Sequence, residues 1–188
     1  MKIIIASGNK HKISEISEML PNNIQCHGYS LDVEENGQSF IENATIKALA
    51  ISKLCPNDYV LADDSGICIH SLNHKPGIYS ARFLEQLDYY QKNSHILELL
   101  KNTDNRKAYF ACALAFVKDG NILYQNTSYC YGNIAREISG KDGFGYDPIF
   151  IPNGQQATFA LDVEYKKHNS HRALAIKEWL KYVAYLFK

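Results

Sequence analysis

The chain has 188 residues, of which 46% are hydrophobic and 21% charged, with 20 basic and 20 acidic side chains. This is the composition of a globular chain, best read as one domain or one domain with two lobes. At this length roughly 70% of the unfolded surface is buried without disulfide or metal staples. Zero net charge argues against a basic nucleic-acid module and against a polybasic membrane binder, and leaves room for a local cationic pocket that takes a small anion.

Lys2 to Ala6 is a short β-branched run, which predicts a buried strand, broken by Ser7-Gly8-Asn9. A helix is expected from Lys10 to Leu20, with Ile13, Ile16 and Leu20 on one face and Pro21 beyond its end. Ile24 to Tyr29 reads as a second strand. Ser39-Phe40-Ile41-Glu42 fits the S-x-x-E capping box and opens a second helix, with Ala44, Ala48 and Ile51 inward and Pro56 as its stop. Tyr59 to Ala62 predicts a strand cut by Asp63-Asp64-Ser65-Gly66, with Ile67 to His70 extending after that turn.

A third helix is expected over Leu84 to Lys101. Tyr109 to Val117 predicts a long strand, Lys118-Asp119-Gly120-Asn121 carries the Asp-Gly hairpin signal, and Ile122 to Tyr131 returns antiparallel. A glycine-rich loop, Gly140 to Gly145, precedes a short strand at Pro148 to Ile151. The last helix is expected from Ser170 to Phe187, with Leu174, Leu180, Val183 and Phe187 inward. Alternating strands and helices followed by a hairpin predict an α/β fold with a mixed sheet.

The five cysteines, at 26, 55, 68, 112 and 130, are odd in number and form no C-x-x-C pair, so reduced thiols in a cytoplasmic protein are expected. The seven histidines show no H-x-H or H-E-x-x-H spacing that would predict a zinc site. Met1-Lys2-Ile3-Ile4-Ile5 is too short an apolar run for a signal peptide, and no stretch reaches the roughly 18 apolar residues of a membrane span.

Five segments carry possible chemistry. Ser7-Gly8-Asn9-Lys10-His11-Lys12 joins a strand to a helix, where backbone N–H groups and lysines suit phosphate; it reads equally as an ordinary βα turn. It matches neither the Walker A pattern nor G-x-G-x-x-G. Asp63 and Asp64 offer hard oxygen ligands for Mg²⁺, or simply a polar turn. Their side chains alternate about a strand, so one can bind a metal while the other aims elsewhere. Glu34 and Glu35 follow the second strand as a further ligand source or a solvated acidic loop. Gly143-Phe144-Gly145-Tyr146-Asp147-Pro148 lets a backbone approach a flat ligand and an aromatic stack on a base, or packs on the core. Ser170-His171-Arg172 opens a helix with cations at its positive end, which a bound anion or base carbonyl would explain.

Six stretches in chain order, Ser7 to Lys12, Phe40-Ile41-Glu42-Asn43-Ala44 with Lys47-Ala48, Ala62-Asp63-Asp64-Ser65-Gly66, Pro76 to Phe83, Gly143 to Phe150 and Ser170-His171-Arg172, resemble the inosine triphosphate pyrophosphatase family. The resemblance covers residues 7 to 172; it departs at Asn73-His74-Lys75 and at Ala160. It implies hydrolysis of the non-standard purine nucleotides ITP, dITP and XTP to the monophosphate and pyrophosphate, with Mg²⁺ as cofactor. It implies a two-lobed fold with a long mixed sheet flanked by helices, an active site in the cleft between lobes, and a homodimer with neither nucleic-acid nor membrane partners.

Residue by residue, the resemblance makes Asp64 the general base and a metal-site residue, with Glu34 and Asp63 as further metal-site candidates. Ser7, Gly8, Asn9, Lys10, His11 and Lys12 would hold the triphosphate, with Ser65 and Lys166 also touching substrate. Phe144, Gly145, Tyr146 and Asp147 would frame the purine together with His171 and Arg172. Arg172 and backbone N–H groups near Phe144 are suitable donors to the base carbonyl. Two other functions stay open: a pyrophosphatase of modified pyrimidine nucleotides, and a non-catalytic nucleotide-binding module.

Overall fold

The structure, a computed structural model, describes residues 1–186. Seven strands form one mixed sheet: β1 (Lys2–Ala6), β2 (Gln25–Tyr29), β3 (Tyr59–Ile69), β4 (Lys75–Pro76), β5 (Lys107–Lys118), β6 (Asn121–Ile134) and β7 (Phe150–Pro152). The order is β2-β1-β3-β5-β6-β7, with β4 paired to β3. β1 is parallel to β2 and β3, whereas the β3–β4 and β6–β7 pairings are antiparallel. The helices are α1 (Lys10–Met19), α2 (Phe40–Leu54), α3 (Tyr89–Leu99), α4 (Val163–Asn169) and α5 (His171–Leu186).

The chain forms two compact units. The first comprises residues 1–65, 112–128 and 172–186, and the second residues 66–111 and 129–171. In the first unit the period-2 rule of strands sorts the core. Ile3, Ile5 and Leu61 face Ile16 of α1 and Ile176 and Trp179 of α5. Ile4, Val60 and Ala62 face Ala44, Ala48 and Ile51 of α2. A fully buried side chain of this size contributes about 1.5–3 kcal/mol, so these two layers fix the strands that carry the residues described below. The second unit has its own core, built from Ile67, Ile96, Leu100, Phe110, Ile134, Tyr146, Phe150 and Phe159.

Local signals explain several boundaries. Asn9 caps α1 and Ser39 caps α2, its Oγ accepting the Glu42 N–H at 3.3 Å. The capping box is half formed, because the Glu42 carboxylate accepts from the Gln38 N–H and not from Ser39. The β5–β6 turn has positive φ at both Asp119 and Gly120, as a tight hairpin requires.

Four expectations are corrected. β3 runs unbroken through Asp63-Asp64-Ser65-Gly66. α3 starts five residues later than its hydrophobic pattern suggests, because Asp88 and Gln91 form a reciprocal capping box. A short helix, α4, capped by Asp162, stands where no element was expected. On α5 Arg172, Ala173, Ala175, Ile176 and Trp179 are fully buried and Val183 is buried as expected; Leu174 and Leu180 are half-buried, and Phe187 lies outside the described residues.

Candidate functional site

In the first unit, the unbroken strand determines what the two adjacent aspartates do. Because side chains alternate, Asp63 shares the Leu61 face, toward α1 and α5, and Asp64 shares the Val60–Ala62 face, toward α2. Asp63 is 1% exposed, and its Oδ2 meets Lys12 Nζ at 3.1 Å and Arg172 Nη2 at 3.1 Å. Burial alone would raise its pKa; the two cations overcome that and hold the carboxyl well below the usual carboxylate range.

Asp64 lies in a different field. Its Oδ2 accepts from Asn43 Nδ2 at 3.3 Å, and its Oδ1 accepts from the Ser65 N–H and stands 3.8 Å from Lys47 Nζ. Burial raises its pKa above the ordinary value, offset in part by Lys47 and Lys12 and reinforced by the negative charges of Glu35 and Asp63. Lys47 also pairs with Glu35 at 2.9 Å, so two carboxylates converge on one ammonium. Its own pKa is raised, the carboxylates outweighing the effect of burial.

The three metal-site candidates are therefore not brought together. Asp63 and Asp64 project from opposite faces of β3, and Glu34 is exposed, while its neighbour Glu35 takes the contact with Lys47. Among the described residues no group of three or more His, Cys, Asp or Glu is arranged to hold a metal. The convergence of Glu35 and Asp64 on a cation nevertheless fits Mg²⁺, which characteristically takes one or two protein carboxylates and completes its shell with water and substrate phosphate. The sequence offered Glu35 beside Glu34 as a ligand source and placed Lys47 in a segment shared with the family, but only the fold shows that the two pair with each other and that Lys47 faces Asp64.

The loop from Ser7 to Lys12 leads from β1 into α1, placing a helix N-terminus beside these carboxylates. Ser7 Oγ accepts the Asn9 N–H, and Asn9 Oδ1 accepts the N–H groups of His11 and Lys12. The loop thus caps part of its own helix end, unlike the open N-terminus the turn alone suggests. Lys10 and His11 are exposed, whereas Lys12 is half-buried against Asp63. A Cβ at Gly8 would lie 2.6 Å from Ser30 Oγ, so a larger residue there would require the Ser30 side chain to shift.

Arg172 is 1% exposed and does not present itself as an open donor. Its guanidinium engages Glu15, Asp63 and Ser65 Oγ, the last at 2.8 Å. In this geometry Arg172 is a buried counter-ion to Asp63. Ser65 Oγ also donates to Asp63 Oδ2 at 3.2 Å.

In the second unit, Gly143 to Asp147 forms a tight loop. Phe144 N–H donates to Asp147 Oδ2 at 2.7 Å, and Lys166 Nζ donates to the same oxygen at 2.6 Å. That ammonium stands 4.6 Å from the centre of the Phe144 ring, a cation–π distance. Lys166 is thus built into the loop's support and is itself buried. Tyr146 is buried and donates from its hydroxyl to the Ser80 carbonyl at 2.7 Å. Phe144 and Gly145 are half-buried. His171, buried, stacks on Phe110 with centroids 4.6 Å apart and planes 9° from parallel.

The model of the Ham1 family matches residues 3–182. A dITP/XTP pyrophosphatase of Prochlorococcus marinus (strain NATL1A) is 41% identical over 179 residues, covering 93% of this chain and 90% of the relative. A protein of the same name from Methylacidiphilum infernorum is 41% identical over 185 residues, covering 94% and 91%. Among solved structures, a Ham1 protein from Staphylococcus aureus superposes with a TM-score of 0.84 at 36% identity, covering 98% of both chains. A HAM1 protein from Coxiella burnetii gives 0.85 at 34% identity with the same coverage.

Proposed function

Since the chain belongs to the Ham1 family, we propose that it hydrolyses non-standard purine nucleoside triphosphates (ITP, dITP and XTP) to the monophosphate and pyrophosphate, with Mg²⁺ as cofactor. The observation that carries this reading is the split aspartate pair: one carboxylate locked as an anion by Lys12 and Arg172, the other with a raised pKa and facing Lys47 and Glu35. A carboxylate of raised basicity at the edge of a cationic site is what a general base for water attack on a phosphate needs. The same reading carries with it a cytoplasmic role and action as a homodimer.

In the mechanism, Asp64 takes the proton from the water that attacks the α-phosphorus. Asn43 and Lys47 hold its carboxylate in place, and Lys47 keeps a positive charge beside the reacting phosphate. Lys10, His11 and the α1 N-terminus bind the phosphates and stabilise the charge of the departing pyrophosphate. Asp64 and Glu35 are the residues that would hold Mg²⁺, which when bound neutralises phosphate charge and favours in-line displacement. The Phe144 ring supplies a stacking surface for the base, and the N–H groups of its loop suit the carbonyl of a 6-keto purine. Adenine carries an amino group there and would leave such donors unpaired, at about 1–3 kcal/mol each.

The test is a panel of ITP, dITP, XTP, ATP and modified pyrimidine triphosphates with Mg²⁺. ITP, dITP and XTP should be turned over with kcat/KM well above that for ATP, and EDTA should abolish turnover. Preference for a pyrimidine triphosphate, or binding with no turnover, would overturn the assignment. A second expectation concerns the loop. Gly143 has φ +74°, and an added Cβ would stand 2.3 Å from Asp147 Oδ2. Strain of about 1–3 kcal/mol at this position should displace Phe144, so Gly143→Ala should raise KM for ITP; an unchanged KM would show that the loop does not touch the base.

A further inference from the structure

Helix α3 lies outside every segment that the sequence marks as chemical, yet it holds the loop that presents Phe144. Asn93, on its first turns, is 2% exposed. Its Nδ2 donates to the Gly145 carbonyl at 3.0 Å, while its Oδ1, also buried, accepts no hydrogen bond among the described residues. A buried amide used on one side only is a poor choice for stability alone. Beside it Tyr89 meets Tyr146 edge-on at 5.4 Å, and a Cβ on Gly145 would lie 3.7 Å from the Tyr89 ring. The capping box of Asp88 and Gln91 fixes where this face of the helix begins.

In a planar trans peptide the N–H points opposite to the C=O. Holding the Gly145 carbonyl against α3 therefore aims the Tyr146 N–H away from α3. Neither the Gly145 nor the Tyr146 N–H donates to a group among the described residues, whereas the Phe144 N–H is already taken by Asp147. We propose that Asn93 is a positioning residue for base selection: by tethering the Gly145 carbonyl it points the Tyr146 N–H at the carbonyl of a 6-keto base stacked on Phe144. This rests on the reading of the protein as a purine triphosphate pyrophosphatase. Asn93 touches no substrate atom and acts only through the loop.

The test is Asn93→Leu, close in shape, which removes the tether and with it the unpaired Oδ1. Kinetics with ITP and ATP are measured on the parent and on the variant, with thermal melting as a check of folding. The variant should melt near the parent and lose about tenfold or more of the ITP-to-ATP ratio of kcat/KM, carried by a higher KM for ITP. Should the leucine variant fail to fold, Asn93→Ser removes the same tether with less bulk and carries the same expectation. A folded variant whose ratio is unchanged, or in which both substrates fall equally, overturns the positioning role and leaves the parent's activity standing. A parent with no preference for ITP over ATP overturns the underlying reading, and the positioning role with it.

Discussion

Asp64→Asn should abolish turnover of ITP while leaving the fold intact. The amide keeps the shape of the side chain and can still accept from Asn43, but it cannot take a proton from water. Loss of a general base costs about 10²–10⁴-fold in rate, and loss of a metal-holding charge adds to it. The fold should not suffer, because burial already disfavours the charged form of Asp64. A neutral isostere relieves that penalty while giving up attraction to Lys47. Kinetics and melting on the same preparation check both halves. A variant within about tenfold of the parent would remove Asp64 from the mechanism; one that unfolds would show the carboxylate to be structural.

Arg172→Met should do the reverse. The guanidinium sits between Glu15 and the fully buried Asp63, and removing it leaves the Asp63 charge with Lys12 and Ser65. Breaking a buried ion pair from one side typically destabilises by about 3–5 kcal/mol. Denaturant unfolding should show a loss of that order, with the ITP-to-ATP ratio little changed. A ratio that collapses in a stable variant would restore Arg172 to the base pocket.

The same pair predicts acid sensitivity. Asp63 has a folded pKa below its unfolded value, so its contribution is present above the unfolded carboxylate pKa of about 3.9 and is lost as pH falls through the folded value. Stability should therefore decline below about pH 4, and Asp63→Asn should flatten that decline. Stability unchanged across that range would show that Asp63 is not held as an anion.

What the sequence displayed was the local part. The β1 run, the start of α1 at Lys10, the Ser39 cap and the Asp119-Gly120 turn all act over a few residues, and each appears where its chemistry predicts. The misreadings arose where distant contacts override local preference. Asp63-Asp64-Ser65-Gly66 has the composition of a turn, but β3 carries straight through it because both aspartates meet cations on opposite faces of the sheet. The site shows the same division. Asp64 and the Phe144 loop stood out as motifs, whereas the Arg172–Glu15 contact spans 157 positions in the chain. Lys47, Glu35 and Asn93 likewise gain their significance from helices folded against residues far away in sequence.

In the proposed reaction water attacks the α-phosphorus of a purine triphosphate. Hydrolysis of ITP in ¹⁸O-labelled water, with products separated and weighed by mass spectrometry, tests it directly. One labelled oxygen is expected in inosine monophosphate, with unlabelled pyrophosphate as the partner product. Label in orthophosphate, with inosine diphosphate as the nucleotide released, would contradict it.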